Sequence, residues 1–210
     1  MRVLIGCEFS GTMRDAFAMQ GYDAWSCDVI DDDDGSEFHL KMDIMSALHA
    51  MQWDLIVLHP PCTALCVSGN RWYGKGKDKY HDRLDALEWT QRLWLRATDM
   101  CEHVALENPV GVLPHVLGPA TQYVQPYQFG HGETKRTGFW LHGLPPLVRT
   151  DEVAGRVQRL WLEPPSKDRW KIRSTTYTGI AKACADQWGS HVAGRAAAVS
   201  YTHLTLPTKA

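Results

Sequence analysis

The residue best suited to covalent chemistry follows a short apolar segment in the first half of the chain. Residues 55–58 (Leu-Ile-Val-Leu) are too few for a helix and rich in strand formers, which predicts a strand buried on both faces. His59-Pro60-Pro61 then ends it, because proline cannot donate to a sheet and restricts the residue before it. Cys62 therefore lies on a rigid turn at a strand's carboxyl end, where open α/β sheets bind ligands. A thiol held there is a candidate nucleophile if its thiolate is stabilised.

Cys62 has two other interpretations. A free cysteine is most often a small, buried hydrophobic residue. His59, Cys62 and Cys66 also form a group of potential zinc ligands, but no second paired cluster completes the usual set of four. We therefore expect no metal site.

A second polar pair ends another apolar segment. Residues 103–109 (His-Val-Ala-Leu-Glu-Asn-Pro) predict a short buried strand that ends in Glu107 and Asn108. In a parallel sheet, Glu107 and Cys62 would emerge at the same edge. A carboxyl group held near a pyrimidine ring could protonate a ring nitrogen or bind an exocyclic amine.

The start of the chain resembles a nucleotide-type cradle. Residues 3–7 predict a strand, residues 8–11 (Glu-Phe-Ser-Gly) a tight turn, and residues 12–20 a helix. Asp28 ends the next predicted strand, about 20 residues after the glycine turn, where an acid can bind ribose hydroxyls. Asp43 is a second acid at this edge and could accept a hydrogen bond from an adenine amino group. The aspartates at 31–34 look like a solvated loop.

Two segments combine basic and aromatic residues. Residues 68–83 include Arg71 and Lys75 and suit a phosphate-bearing substrate, although a solvated surface loop is nearly as good an interpretation. Residues 149–173 are predicted to be irregular and suit nucleic-acid contact or a packed extension. Between these two segments we expect a helix at 84–100, with Trp89 in the core, and a strand at 138–141. After them we expect a helix at 179–189.

Length and composition favour one α/β domain over residues 1–198. A hydrophobic content of 44%, a charged content of 22% and a net charge of −2 are ordinary for a globular protein and exclude a generally basic coat. Six cysteines without a secretory leader predict reduced thiols in a cytosol, and no apolar stretch is long enough to span a membrane. Residues 199–208 match a translated adapter of transposon-based sequencing libraries, so we expect residues 199–210 to be an adapter-derived tail.

The motifs together resemble those of DNA cytosine C5-methyltransferases, and especially the compact phage-type members. The order of the motifs is that of the family: Phe9-Ser10-Gly11, Asp28, Asp43, Pro60-Pro61-Cys62 and Glu107-Asn108. The similarity covers residues 3–189, and the two strand-ending motifs at Cys62 and Glu107 are its most specific part.

The resemblance implies a Rossmann-like fold with a mostly parallel sheet, helices on both faces and S-adenosylmethionine as cofactor. Phe9, Ser10, Gly11 and Pro60 would line the cofactor site, while Asp28 would hold the ribose and Asp43 the adenine. Cys62 would attack C6 of cytosine and Glu107 would contact N3 and N4. The substrate-binding residues would be Asn108, Lys135, Arg136, Thr137, Arg71 and Lys75. DNA is the implied partner and the cytoplasm the implied location, which is that of a bacterial host cell if the chain is phage-encoded. No obligate protein partner is evident.

The chain also departs from the family pattern. Thr12-Met13 replaces the usual glycine pair, and Lys135-Arg136-Thr137 only loosely represents the arginine-rich motif. Residues 149–173 leave room for a minimal recognition segment, which predicts short or relaxed sequence specificity. Alternatives are transfer of a larger group from a modified cofactor, a non-catalytic DNA-binding module, and a thymidylate-synthase-like enzyme, although that class has histidine where Thr63 stands here.

Overall fold

The computed structural model describes the backbone of residues 1–203 and the side chains of residues 1–194. The adapter-derived tail predicted at residues 199–210 lies outside the residues whose side chains are described. Seven strands are present in the described part: β1 Arg2–Gly6, β2 Asp23–Asp28, β3 His39–Lys41, β4 Leu55–Leu58, β5 Val104–Pro109, β6 Gln122–Val124 and β7 Thr137–His142. The helices there are α1 Thr12–Ala18, α2 Ile44–Ala50, α3 Asn70–Tyr73, α4 Tyr80–Met100, α5 Pro114–Leu117, α6 Arg159–Leu162, α7 Arg169–Ser174 and α8 Thr178–His203.

The strands form one mixed sheet in the order β3-β2-β1-β4-β5-β7-β6. The strands from β3 to β5 pair in parallel, whereas β7 is antiparallel to both of its neighbours. The predicted α/β class with a mostly parallel sheet is therefore confirmed. The strand order changes direction between β1 and β4, since the chain goes from β1 to β2 on one side and later to β4 on the other. Such a reversal opens a crevice at the carboxyl ends of the two central strands.

Alternating side chains of the central strands supply two separate cores. Leu55 and Val57 pack with residues of α1 and α8, while Ile56 and Leu58 pack on the opposite face with residues of α2 and α4. All four side chains are fully buried. The continuous apolar segment 55–58 is thus a strand covered by helices on both faces, as its sequence predicts.

The predicted helices are present, with different ends. Helix α4 begins at Tyr80 rather than residue 84, and α8 begins at Thr178 and extends well past residue 189. Trp89 is half-buried and packs against the core. The segment 149–173 is mostly irregular but contains the short helices α6 and α7. Within the described residues, no helix combines the length and apolar character needed to cross a membrane.

The interpretation of residues 31–34 as a solvated loop is wrong for Asp32. Arg14, on α1, is buried with 3% of its side chain exposed, and its Nη1 donates to Asp32 Oδ2 at 3.1 Å. Asp32 is itself only 6% exposed. A buried cation needs a paired anion, and a count of consecutive aspartates cannot reveal a cation 18 residues earlier in the chain.

Candidate functional site

A cavity of about 310 Å³ lies at the crevice between the carboxyl ends of β1 and β4. Its floor consists of residues at the carboxyl ends of four parallel strands or directly after them. Its outer wall comes from residue 135, from α7 and from the turn after α7. The residues that line it are Cys7–Ser10, Asp28–Ile30, His59–Thr63, Glu107–Pro109, Lys135, Trp170, Arg173, Ser174 and Thr176. The sequence prediction that Cys62 and Glu107 share one edge of the sheet is confirmed.

The end of β1 forms the floor of the cavity through a strained turn. Cys7 has a φ of 59°, and among the described residues no other non-glycine residue has a positive φ. This left-handed conformation is unusual for cysteine and often marks a functional site. Glu8 follows and is buried. Its carboxylate accepts the backbone N–H of Met13 at 2.7 Å and of Arg14 at 3.1 Å, so it caps α1 and holds the turn against the helix.

Cys62 lies on a helical turn that brings it level with a second thiol. The Cys62 carbonyl accepts the N–H groups of Leu65 at 3.0 Å and Cys66 at 2.9 Å, which places residues 62 and 66 on the same face. Of the two thiols, Cys62 lines the cavity while Cys66 is buried behind it. Cys66 Sγ lies 3.0 Å from Ser68 Oγ.

The two thiols share one ionisation. Interaction with Cys66 and then burial raise the pKa of Cys62. The same interaction lowers the pKa of Cys66, and the Ser68 hydroxyl and backbone N–H groups of Ser68 and Gly69 add to that effect. The first ionisation therefore belongs to the pair of thiols, one of which reaches the cavity.

Glu107 is held in its ionised form by neighbouring donors. Its Oε2 accepts a hydrogen bond from His59 Nδ1 at 3.2 Å, and 16% of its side chain is exposed. Burial by itself raises the pKa of Glu107, but the His59 hydrogen bond, the charge of Lys135 and the Thr137 hydroxyl outweigh it and lower the pKa. Glu107 is thus a carboxylate acceptor at the cavity wall at neutral pH.

Asn108 links the two strand-ending motifs. Its Nδ2 donates to the Pro60 carbonyl at 2.8 Å, which fixes the turn before Cys62 relative to β5. Its Oδ1 is buried and has no hydrogen-bond partner among the described residues. Asn108 therefore acts on the geometry of the cavity through the Pro60 turn.

Four of the six residues expected to bind the cofactor line the cavity, namely Phe9, Ser10, Asp28 and Pro60. Asp28 accepts the Ile30 N–H through Oδ1 at 3.3 Å, which leaves its other oxygen for a ligand. Gly11 and Asp43 are not in the wall. A Cβ at Gly11, which has a φ of 68°, would meet the Arg14 guanidinium, so this glycine is needed for the buried cation. Asp43 caps α2 by accepting the Met45 N–H at 2.8 Å.

The residues expected to bind the substrate are more dispersed. Lys135 lines the cavity, and Thr137 is buried beside Glu107. Arg136 instead lies over the Tyr123 ring at 4.3 Å. Arg71 lies over the ring of its neighbour Trp72 at 5.1 Å, and both Arg71 and Lys75 are exposed and outside the cavity wall.

Helix α7 forms a wall that the sequence did not predict. Trp170 packs on Phe9 with ring centroids 5.3 Å apart, and Lys171 Nζ pairs with Asp33 Oδ1 at 2.8 Å. The Arg173 carbonyl accepts a hydrogen bond from Lys135 Nζ at 3.1 Å, which joins α7 to the segment before β7. The interleaved basic and aromatic residues of 149–173 are compatible with such a wall, but the same pattern indicates nucleic-acid contact or packing equally well.

No cluster of three or more metal-binding side chains occurs in the part of the chain that the structure describes, and all six cysteines are free thiols. A scan against models of known protein families found no match, and a search of curated proteins found no match either.

Proposed function

We propose that this protein transfers the methyl group of S-adenosylmethionine to C5 of cytosine in DNA, and that its fold is the Rossmann-like methyltransferase fold. One observation carries the proposal: Cys62, Glu107 and Asp28 line the same cavity at the reversal point of the sheet. A nucleophile, a carboxylate acceptor and a strand-ending acid are the three groups that the resemblance implies.

The size and the lining residues of the cavity suit an adenosine cofactor. Its volume lies within the range of about 300–1,000 Å³ typical of small-molecule sites. Phe9, Ile30 and Pro60 supply apolar surface, and Asp28 supplies a carboxylate oxygen for ribose hydroxyls. S-adenosylmethionine bound there would supply an electrophilic methyl group.

The reaction needs Cys62 because C5 of cytosine is a poor nucleophile until C6 carries a substituent. As Cys62 Sγ forms a bond to C6, the proton that the two thiols share would stay on Cys66, and the electron pair of the C5–C6 double bond would move to C5. Glu107 accepts a hydrogen bond from the exocyclic amine and holds the ring in place. With S-adenosylmethionine bound, C5 would take its methyl group and leave S-adenosylhomocysteine. C5 would then give its proton to water, and the electron pair of that C–H bond would re-form the C5–C6 double bond as the bond between C6 and Sγ breaks, which would release Cys62 as a thiolate.

The base must leave the DNA duplex to reach Cys62 at the floor of this cavity. Lys135 at the wall places a positive charge where the phosphates of an extruded nucleotide pass. Helix α7 packs on Phe9 and faces the cavity, so part of the segment 149–173 builds the active site. That leaves few residues to read base edges, in keeping with short or relaxed sequence specificity.

Covalent trapping tests the proposal. DNA containing 5-fluorocytosine, incubated with S-adenosylmethionine, should form a stable adduct because fluorine at C5 cannot leave as a proton does. We expect the adduct to map to Cys62 and to be lost in Cys62→Ser, which keeps the size of the side chain. Mass spectrometry of treated normal DNA should show 5-methylcytosine. A larger mass increment would indicate a modified cofactor, and an adduct at Cys66 would contradict the assignment.

A further inference from the structure

His59 is a buried, rigidly held side chain that the proposed reaction does not use. Its backbone N–H donates to the Gly6 carbonyl at 2.9 Å and so continues the pairing of β1 with β4. Its side chain is only 11% exposed, and its Nδ1 lies 3.2 Å from Glu107 Oε2. Its Nε2 is buried and has no hydrogen-bond partner among the described residues.

The contact with Glu107 fixes which ring nitrogen carries a proton. A carboxylate can only accept hydrogen bonds, so His59 Nδ1 must be the donor. A histidine on a rigid strand end that donates from Nδ1 to a carboxylate holds that carboxylate in a single orientation. Glu107 then keeps its remaining acceptor capacity for the cavity.

The charged and titratable groups around this pair come from several elements. Lys135 and Thr137 face Glu107 from the segment before and at the start of β7, and Cys62 and Cys184 feel its charge. Glu8, at the end of β1, feels the charge of His59. Burial raises the pKa of Glu8, whereas the hydrogen bond from His59 and the charge of Lys135 lower the pKa of Glu107 despite its burial. The pKa values of these two carboxyl groups, which lie on either side of one imidazole, are thus shifted in opposite directions.

We infer that His59 is a positioning residue that determines which base the site selects. Its Nδ1–H holds the Glu107 carboxylate as a hydrogen-bond acceptor. The site therefore binds a ring with an exocyclic amine at this position and rejects a ring with a carbonyl there. The inference rests on the proposed function. Cytosine presents an N4 donor where uracil and thymine present an O4 acceptor. Against a fixed carboxylate, an O4 acceptor leaves two buried acceptors without a proton between them.

The first test measures Glu107 directly and needs no catalysis. The side-chain carboxyl carbon of Glu107 is followed by ¹³C NMR against pH, with Glu107→Gln used to assign its signal. We expect the Glu107 titration to move to higher pH in His59→Phe, because burial then acts without the histidine donor. His59→Asn, whose amide can donate from a similar place, should restore most of the wild-type titration. An unchanged titration in His59→Phe, or an equal rise in both variants, would overturn the inference.

The second test measures base selection. Trapping rates are compared on matched DNA duplexes that carry 5-fluorocytosine or 5-fluorouracil at one site. In the wild type we expect strong preference for the cytosine duplex, and in His59→Phe a loss of that preference by about tenfold or more, the usual effect of losing a hydrogen bond to a charged group. His59→Asn should retain the preference. If the wild type traps neither duplex, the proposed function fails while the titration still decides the role of His59.

Discussion

The buried cation Arg14 offers a sharp test of what holds the cavity together beside the end of β1. Its guanidinium donates to Ser26 Oγ at 3.2 Å and to Asp32 Oδ2 at 3.1 Å, and it also pairs with Asp15 and Asp34. The loop that contains Asp32 also contacts the site, because the Asp33 N–H donates to the Phe9 carbonyl at 3.0 Å. Arg14→Met keeps the length of the side chain but removes the charge.

The expected cost follows from burial. Arg14 and Asp32 are 3% and 6% exposed, and removing one partner of a buried ion pair costs about 3–5 kcal/mol because the other charge is left unpaired. For a chain of this length, that corresponds to a fall of at least about 6 °C in the melting temperature. Asp34→Asn is the matched control, since Asp34 is 48% exposed and its loss should cost about 1 kcal/mol or less.

The same cluster predicts a pH dependence. Burial alone raises the pKa of Asp32, but its interactions with Asp34, the Ser36 N–H and Arg14 lower it to about 2, against an ordinary value of 3.8. Because the folded pKa is depressed, this stability is fully present above pH 3.8 and is lost as the pH falls through about 2.

The assay is urea unfolding of wild type, Arg14→Met, Asp32→Asn and the double variant, followed by circular dichroism at neutral pH. The double variant should be more stable than Arg14→Met, because a neutral asparagine in place of Asp32 no longer needs a cation. A cost below about 1 kcal/mol for Arg14→Met, or a double variant no more stable than it, would refute the buried-pair argument.

Four further outcomes are expected. Glu107→Gln should slow methyl transfer by roughly 10–10², the effect of losing a hydrogen bond to a charged acceptor, and a rate within a factor of about two of wild type would leave Glu107 structural. In Cys66→Ala the pKa of Cys62 should fall, because Cys66 is the main cause that raises it, so iodoacetamide should modify Cys62 faster at neutral pH; an unchanged pH profile would contradict this. Titration with S-adenosylmethionine should change the protein's tryptophan fluorescence, and this change should vanish in Trp170→Phe if the ring on Phe9 reports the cofactor. Sequencing a treated random DNA library should show modification in short cytosine contexts, and a fixed site of about six base pairs or more would count against the small recognition surface.

The central strands and the two strand-ending motifs could be predicted because their determinants are local. A continuous apolar segment such as 55–58 has one common use in an α/β protein, and proline after it leaves little choice about where the strand ends. Since parallel strands share a direction, Cys62 and Glu107 had to meet once both were placed at strand ends. That conclusion does not depend on any contact between distant residues.

The outer wall and the buried ion pair could not be predicted because both depend on contacts between distant residues. Trp170 contacts Phe9, although the two residues are separated by most of the sequence. A tryptophan among basic residues is as typical of nucleic-acid contact as of packing. Gly11 was expected to approach a ligand, since a glycine turn after a strand often does so. Here its missing Cβ leaves room for the Arg14 guanidinium instead, which no local pattern distinguishes.

The two interpretations of the glycine turn lead to the same physical result by different routes. In the expected one, the turn itself touches the cofactor. In the structure, Gly11 admits Arg14, Arg14 holds the loop of Asp32, and that loop bonds to the carbonyl of Phe9, which does line the cavity. The departure from the family's glycine pair at Thr12-Met13 is consistent with this arrangement, because Met13 is fully buried against the core and its N–H is capped by Glu8. The turn at residues 8–11 is held by the buried ion pair of Arg14 and Asp32 and by the Glu8 cap, whereas glycine residues alone would leave it flexible. The stability of the turn should therefore follow that of the ion pair.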